Sequence, residues 1–274
     1  MTGILTAEQV ERFREEVYSH YRQFGRKLPW RETHDPYAVL VSELMLQQTQ
    51  VQRVVPKYAD FLASFPSFRD LALAPLSEVL SRWQGLGYNR RALFLQRCAG
   101  EVMERFDGEL PADVELLETL PGIGQYTARA VAAFAFGEPT VFIETNIRAL
   151  FLHRFFPDSE AVPDRAILPL VAQTVDRIDP RHWYYALMDA GALLKREVAN
   201  PGRRSAHHTR QSPFCGSNRE QRSWILKALL ADPGSTAEKL LLALPLEPDS
   251  LLKNLHQLQR EGFLREERGG FHIA

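Results

Sequence analysis

Glu43 lies in Pro36-Tyr-Ala-Val-Leu-Val-Ser-Glu-Leu-Met-Leu46, close to Val39, Leu40, Met45 and Leu46. A carboxyl group in apolar surroundings resists ionisation, so its pKa rises. A raised carboxyl pKa suits a general acid near neutral pH. Immediately after this segment come Gln47, Gln48, Thr49 and Gln50. Glutamine both donates and accepts hydrogen bonds, which suits contact with base edges. Further on, Leu120-Pro-Gly-Ile-Gly124 precedes a helical pattern. Gly122 and Gly124 permit a tight turn. Amides around Ile123 and Gly124, directed outward at the positive end of a helix, fit a phosphate group. Some twenty residues later Glu144 arrives just before another helix. The plain alternatives are an exposed helical glutamate and a Pro-Gly turn between two core helices. The conjunction of the segments weighs against both.

The elements that must position these residues are mostly helical. Thr6 is an N-cap candidate for a first helix. Asp35-Pro36 pairs an N-cap with a proline at the first helical position. Apolar residues at 37, 40, 41 and 44 then keep a helical period. Further helices are expected over 53–64, 68–73, 76–84, 89–106, 113–118, 125–136, 145–155, 164–177 and 181–196, with little strand signal before residue 260. The segment 195–222 lacks a hydrophobic period and holds Lys195, Arg196, Arg203, Arg204, Arg210, Arg219 and Arg222 against Glu197 and Glu220. It reads as a solvated linker or a DNA-facing strap. From 221 on, a helix over 222–231, a second capped by Thr236, a third over 248–260 and a hairpin turning at Gly269-Gly270 resemble a winged helix. Its third helix presents only Lys253, His256 and Arg260 to a nucleic acid.

A chain of 274 residues with 45% hydrophobic content can bury a sizeable core. Its formal net charge is −1, so any DNA affinity must come from local basic patches. Two cysteines, Cys98 and Cys215, exclude a disulfide framework and a four-cysteine iron–sulfur site within this sequence. That usage and the absence of a signal-peptide pattern fit a reducing, cytoplasmic setting of bacterial type. No apolar run reaches membrane-spanning length.

Pro-Trp30-Arg31, the Asp35-Pro-Tyr start, SELMLQQTQV, WQGLGYNRRALFLQ, LPGIGQYTA and MDAGALL stand in the order, and near the spacing, of MutY-type adenine DNA glycosylases. The chain resembles that branch of the helix-hairpin-helix glycosylase superfamily over roughly residues 6–196. The resemblance implies a mainly α fold with a two-lobed helical body over 1–196 and its hairpin at about 113–136; the residue pattern beyond it adds a basic linker at 197–220 and a small winged-helix-like domain at 221–274. It also implies a monomer acting on duplex DNA that carries a mismatch or a damaged base. Glu43 matches the acid that protonates adenine. Tyr126 and Asn146 match residues that support the sugar. Gln48 and Tyr88 match duplex wedges beside Leu86, and Thr49 matches a contact to the opposite base. Trp30, Arg31 and Asp189 match the pocket of the extruded base. Gly122, Ile123, Gly124, Gln125 and Thr127 fall on the hairpin that grips the DNA backbone, with Arg203, Arg204 and Arg210 of the basic segment beside them.

The sequence departs from that pattern in three places. Glu144 stands where the family has aspartate, and it is kept here as the second catalytic acid. Lys195 stands where the first of four cluster cysteines would fall, so no iron–sulfur cluster is expected. His207, His208 and Cys215 lack regular metal-site spacing, so no metal is expected there; a monovalent cation at the hairpin is compatible with the family. The tail is too short for the family's larger domain that recognises 8-oxoguanine. Tyr126 occupies the position where bifunctional relatives have lysine, and a Schiff base needs an amine, so a monofunctional enzyme is expected. The competing readings are a glycosylase for mispaired thymine or uracil, one for another damaged purine, and a DNA-binding protein without catalysis.

Overall fold

A computed structural model describes residues 4–209 and 212–274. Among these the helices are α1 (Ala7–Phe24), α2 (Pro36–Leu46), α3 (Val51–Ser64), α4 (Phe68–Leu73), α5 (Leu76–Trp83), α6 (Arg90–Phe106), α7 (Val114–Glu118), α8 (Gln125–Phe136), α9 (Thr145–Phe155), α10 (Asp164–Thr174), α11 (Pro180–Glu197), α12 (Asn218–Ala231), α13 (Ala237–Ala243) and α14 (Pro248–Glu261). Strands β1 (Leu264–Glu267) and β2 (Gly270–Ile273) follow. The chain divides into two units, residues 1–43 with 110–210 and residues 44–109 with 211–274. The C-terminal module thus shares a unit with α3–α6, which a linear reading of the sequence does not anticipate.

In the first unit α1 starts at Thr6, whose hydroxyl caps Gln9 in a reciprocal capping box. Its buried Phe13 packs edge-on against Phe151 of α9 and Trp183 of α11. Phe134 of α8 stacks on Tyr185, and Phe142 stacks on Tyr184. These rings form the centre of an apolar core that also takes in Ile167, Leu170 and Val171 of α10. Burial of large aromatic surface is the main stabilising contribution here. The α9–α11 seam is tight at Gly191, where a Cβ would run into the backbone carbonyl of Asn146.

In the second unit Phe61 of α3 meets Trp83 of α5 edge-on, and both are fully buried. The C-terminal module holds α12–α14 and an antiparallel hairpin with Leu264 opposite Ile273 and Glu267 opposite Gly270. The residues between that last pair, Arg268 and Gly269, both have positive φ, the signature of a type I′ turn. The turn therefore sits one residue earlier than the sequence suggests. A bridge from Ser235 to Phe271 extends the small sheet.

The basic segment is more ordered than a linker. Pro201–Arg204 forms a 3-10 turn, and Ser205 makes a parallel bridge to Val162. Helix α12 begins at Asn218 rather than near 222, because the Ser217 side chain accepts from the Glu220 amide. Arg210 lies outside the described residues. No described helix is long and apolar enough to cross a membrane.

Candidate active site

In the first unit, Asp35 caps α2 by accepting from the amides of Tyr37 and Ala38. Glu43 follows two turns later and is 6% exposed. Burial pushes its carboxyl up to about 7. The Tyr126 hydroxyl opposes that rise by donating to Glu43 Oε2 at 3.2 Å, the Glu144 charge adds to it, and the Arg31 charge opposes it. Burial also raises the Tyr126 phenol well above its ordinary value, with the charges of Glu43 and Glu144 acting in the same direction. Glu43, Tyr126 and Glu144 therefore interact as one set.

Glu144 is the N-cap of α9. Its Oε1 accepts from the amides of Asn146 (2.7 Å) and Ile147 (3.2 Å), and its Oε2 from the Thr145 hydroxyl (2.9 Å). Glutamate is not among the favoured N-cap residues. Its extra methylene lets the carboxylate curl back over the positive end of the helix. Asn146 is fixed from α11: Lys195 Nζ donates to Asn146 Oδ1 at 2.9 Å. Gly191 and Lys195 are one turn apart on α11, so the residue that admits Asn146 and the residue that holds it share a face. Burial lowers the Lys195 ammonium pKa, while the Glu144 charge opposes that shift. On the far side of α9's first turn, Arg148 binds Asp164 through a bidentate fork at 2.8 and 2.7 Å.

Trp30 is buried in the short turn Pro29–Arg31. Asp189 is 4% exposed and binds the Arg31 fork at 2.8 Å on both oxygens, with Arg26 adding a backbone and a side-chain bond. Burial alone would raise the Asp189 carboxyl, but the bonds from Arg31 and Arg26 outweigh it and hold the group below its usual range. Asp189 is therefore neither a surface acid nor an isolated pocket acid; it orients Arg31, whose guanidinium lies 4.4 Å from the Tyr185 ring centroid. Arg181 fixes the same turn by donating to the carbonyls of Arg31, Thr33 and Phe134.

At the hairpin Gly122 has φ 79°, a conformation that favours glycine. The Ile123 amide does not point outward, since it donates to Leu120 O at 3.2 Å and the side chain is buried. Gly124 caps α8 without a side-chain bond, and the first amides of a helix have no partner within it. The anion-binding capacity expected at Ile123 thus shifts to the start of α8, where Gly124 and Gln125 are exposed. Thr127 is buried, so its side chain does not lie on that surface. Arg203 is exposed, whereas Arg204 donates to the carbonyls of Leu152 and Pro157 and braces the basic segment against α9.

The second unit carries a pair of loops at 47–50 and 85–89. Gln48 and Tyr88 occupy the left-handed region, with φ 53° and 49°. The buried Arg91, 8% exposed, joins the loops. Its Nη1 donates to the carbonyls of Leu44, Met45 and Gln47, and its Nη2 to Thr49 Oγ1 and to the carbonyls of Leu86 and Gly87, all at 2.7–3.3 Å. Burial lowers Arg91 to about 10, with the Tyr88 charge opposing the shift, so the guanidinium stays charged at neutral pH. The cation answers the unpaired carbonyls at the end of α2. The Leu86 side chain is buried in the core, and its carbonyl accepts from Arg91 and Thr49. Arg91 escapes a sequence reading because nothing in Asn-Arg-Arg-Ala marks which arginine turns inward.

Cys98 is buried within α6 and Cys215 is exposed. Two thiols cannot supply four cluster ligands, and the residues present do not fit such a group. No group of three or more His, Cys, Asp or Glu that could hold a metal occurs among the described residues.

Residues 41–170 match the model of the HhH-GPD superfamily of base excision DNA repair proteins. The chain is 43% identical over 179 residues to an adenine DNA glycosylase of Mycobacterium tuberculosis, covering 64% of this chain and 59% of that one. It is 41% identical over 138 residues to a thymine/uracil-DNA glycosylase of Pyrobaculum aerophilum, covering 50% and 60% respectively. It is similar to the solved structure of a thermostable thymine-DNA glycosylase at TM-score 0.62 and 27% identity, over 68% of this chain and 87% of that one. The chain spans about half the length of other adenine DNA glycosylases that it matches, 52% and 45% of those from Buchnera aphidicola and Rattus norvegicus. With the helical hairpin and these similarities, residues 41–170 carry an HhH-GPD domain of the kind found in base excision DNA repair proteins.

Proposed function

We propose that the chain is a monofunctional DNA glycosylase that hydrolyses the N-glycosidic bond of an adenine mispaired with 8-oxoguanine or guanine. The observation that carries this reading is Glu43: a buried carboxyl raised to about 7, bonded to Tyr126 and influenced by the charge of a second acid. Two carboxyl groups in contrasting environments divide acid and electrostatic roles in glycoside hydrolysis. The target nucleotide must first leave the base stack. Glu43 then donates its proton to adenine N7 while the C1′–N9 bond breaks and its electron pair passes to the purine. Positive charge develops on the sugar, and the Glu144 carboxylate stabilises it electrostatically. Water adds to C1′ and loses a proton, leaving free adenine and an abasic site. Tyr126 has no amine, so no covalent imine forms, and borohydride is not expected to trap protein on DNA.

The similarity to a thymine/uracil-DNA glycosylase supports a second reading, removal of a mispaired pyrimidine. A pyrimidine has no N7 to protonate, and Glu43 supports the purine. A release assay decides between them, using duplexes with adenine opposite 8-oxoguanine or guanine, thymine or uracil opposite guanine, and damaged purines. Adenine release is expected. Release of thymine or uracil alone, or of no base, would overturn the proposal.

A further inference from the structure

The C-terminal module reaches one of the two loops that Arg91 organises. Arg219, in the first turn of α12, donates from Nη1 to the Tyr88 hydroxyl at 2.6 Å, and its guanidinium lies 5.4 Å from the Tyr88 ring centroid. Its Nη2 donates to Ser212 O at 2.7 Å, with the Ser212 hydroxyl and Pro213 O as further acceptors. Arg91 lies 5.5 Å from the same ring. Tyr88 therefore has two guanidinium groups within 5.5 Å of its ring, its hydroxyl held by one of them, and its backbone in the left-handed region. A non-glycine residue keeps that conformation where its surroundings over-determine it, and such residues cluster at functional sites.

The loop that receives Arg219 is itself fastened to α12. The Gly216 amide donates to Glu220 Oε2 at 2.6 Å, and the Ser217 hydroxyl to Phe214 O at 2.6 Å. This leaves Phe214 52% exposed at the head of the loop. The far end of the module is also fixed within this unit. Glu261 accepts from Arg222 of α12 at 2.5 Å, and its backbone carbonyl accepts from Arg97 of α6 at 3.0 Å. The module thus presents one arginine to Tyr88 from a secured base.

We propose that Arg219 is a positioning residue that holds Tyr88 in a preset orientation, and that through it the C-terminal module governs discrimination between mismatched and matched duplexes. The inference rests on the glycosylase reading for its substrate, duplex DNA. Arginine is suited to the task because its planar fork serves the hydroxyl and the loop carbonyls together while its face lies against the ring. Lysine carries the charge without that geometry.

The test uses the full chain and synthetic duplexes with adenine opposite 8-oxoguanine, guanine or thymine, the last being the matched pair. Affinity and single-turnover adenine release are measured for the wild type, Arg219→Ala, Arg219→Lys, Tyr88→Phe and Arg219→Ala/Tyr88→Phe. Loss of one charge-assisted bond predicts that Arg219→Ala lowers the mismatched-to-matched affinity ratio by roughly tenfold. Tyr88→Phe, which removes only the hydroxyl, should lower the ratio in the same direction. The double variant should lose less than the product of the two single effects, and Arg219→Lys should not restore the ratio. An unchanged ratio, an equal loss on all duplexes, independent losses in the double variant, or full rescue by lysine would each overturn the proposal. Wild-type protein that discriminates in binding but releases no base would sink the glycosylase reading and leave the role of Arg219 to be judged by the ratio.

Discussion

Glu43 is costly to the fold in the form it takes at high pH. Its carboxyl titrates near 7 in the folded protein against 4.5 for the ordinary group. Between those values the unfolded chain has lost its proton while the folded one keeps it, so this residue's contribution to stability falls as pH rises and then levels off above about 7. Glu43→Gln should therefore be more stable than the wild type at pH 8 by about 3 kcal/mol. The gap should close as pH falls toward 4.5, and thermal unfolding at both ends of the range measures it. An equal gap at both ends would show that the carboxyl is not perturbed. That Glu43 is buried is legible in the sequence, because an acid in an otherwise apolar helix has few other places to be. The partners of Asp189 are not, since Arg26 and Arg31 are more than 150 residues away in sequence. Nor is the inward turn of the Ile123 amide, which depends on a local turn whose hydrogen bond no residue type dictates.

The α9–α11 seam is where element packing bears on chemistry. Alanine at Gly191 places a methyl group against the Asn146 carbonyl. Overpacking of this kind costs about 1–3 kcal/mol and should also disturb the Lys195–Asn146 bond. Gly100, within α6, has open space where its Cβ would be. Gly100→Ala should therefore be neutral or stabilise by up to about 1 kcal/mol, because glycine is a poor helix residue. A lower Tm for Gly191→Ala and an unchanged or higher Tm for Gly100→Ala are expected, and equal shifts would contradict the packing account. Periodicity and caps reveal most of the helices, since Thr6, Asp35 and Thr236 announce their starts. Helix α12 is missed by four residues because Ser217-Asn-Arg-Glu220, a legible start signal, lies in a stretch dominated by charge. The seam itself is illegible, since neither Gly191 nor Lys195 carries a local mark of its distant partner.

At the scale of the whole molecule, a net charge of −1 leaves little general attraction to DNA. On the proposed function, duplex affinity rests on local groups such as the exposed Arg203 and the uncapped start of α8. Arg203→Ala should weaken matched and mismatched duplexes alike and reduce the salt slope of binding by about 1. Titrations at several salt concentrations check this, and a loss confined to mismatched duplexes would contradict it. The sequence makes the mainly helical architecture and the C-terminal winged-helix pattern legible. It does not reveal that the module shares a unit with α3–α6, because that depends on Glu261, Arg97, Arg219 and Tyr88 meeting across more than a hundred residues.

The most direct test of proton donation by Glu43 is the pH dependence of single-turnover adenine release. For the wild type, the rate constant should fall as pH rises through about 7. Glu43→Gln should bind duplex DNA but release adenine slower by at least about a hundredfold, the lower end of what a general acid contributes. Release by Glu43→Gln within a few-fold of the wild type, or a wild-type profile flat across neutrality, would contradict it.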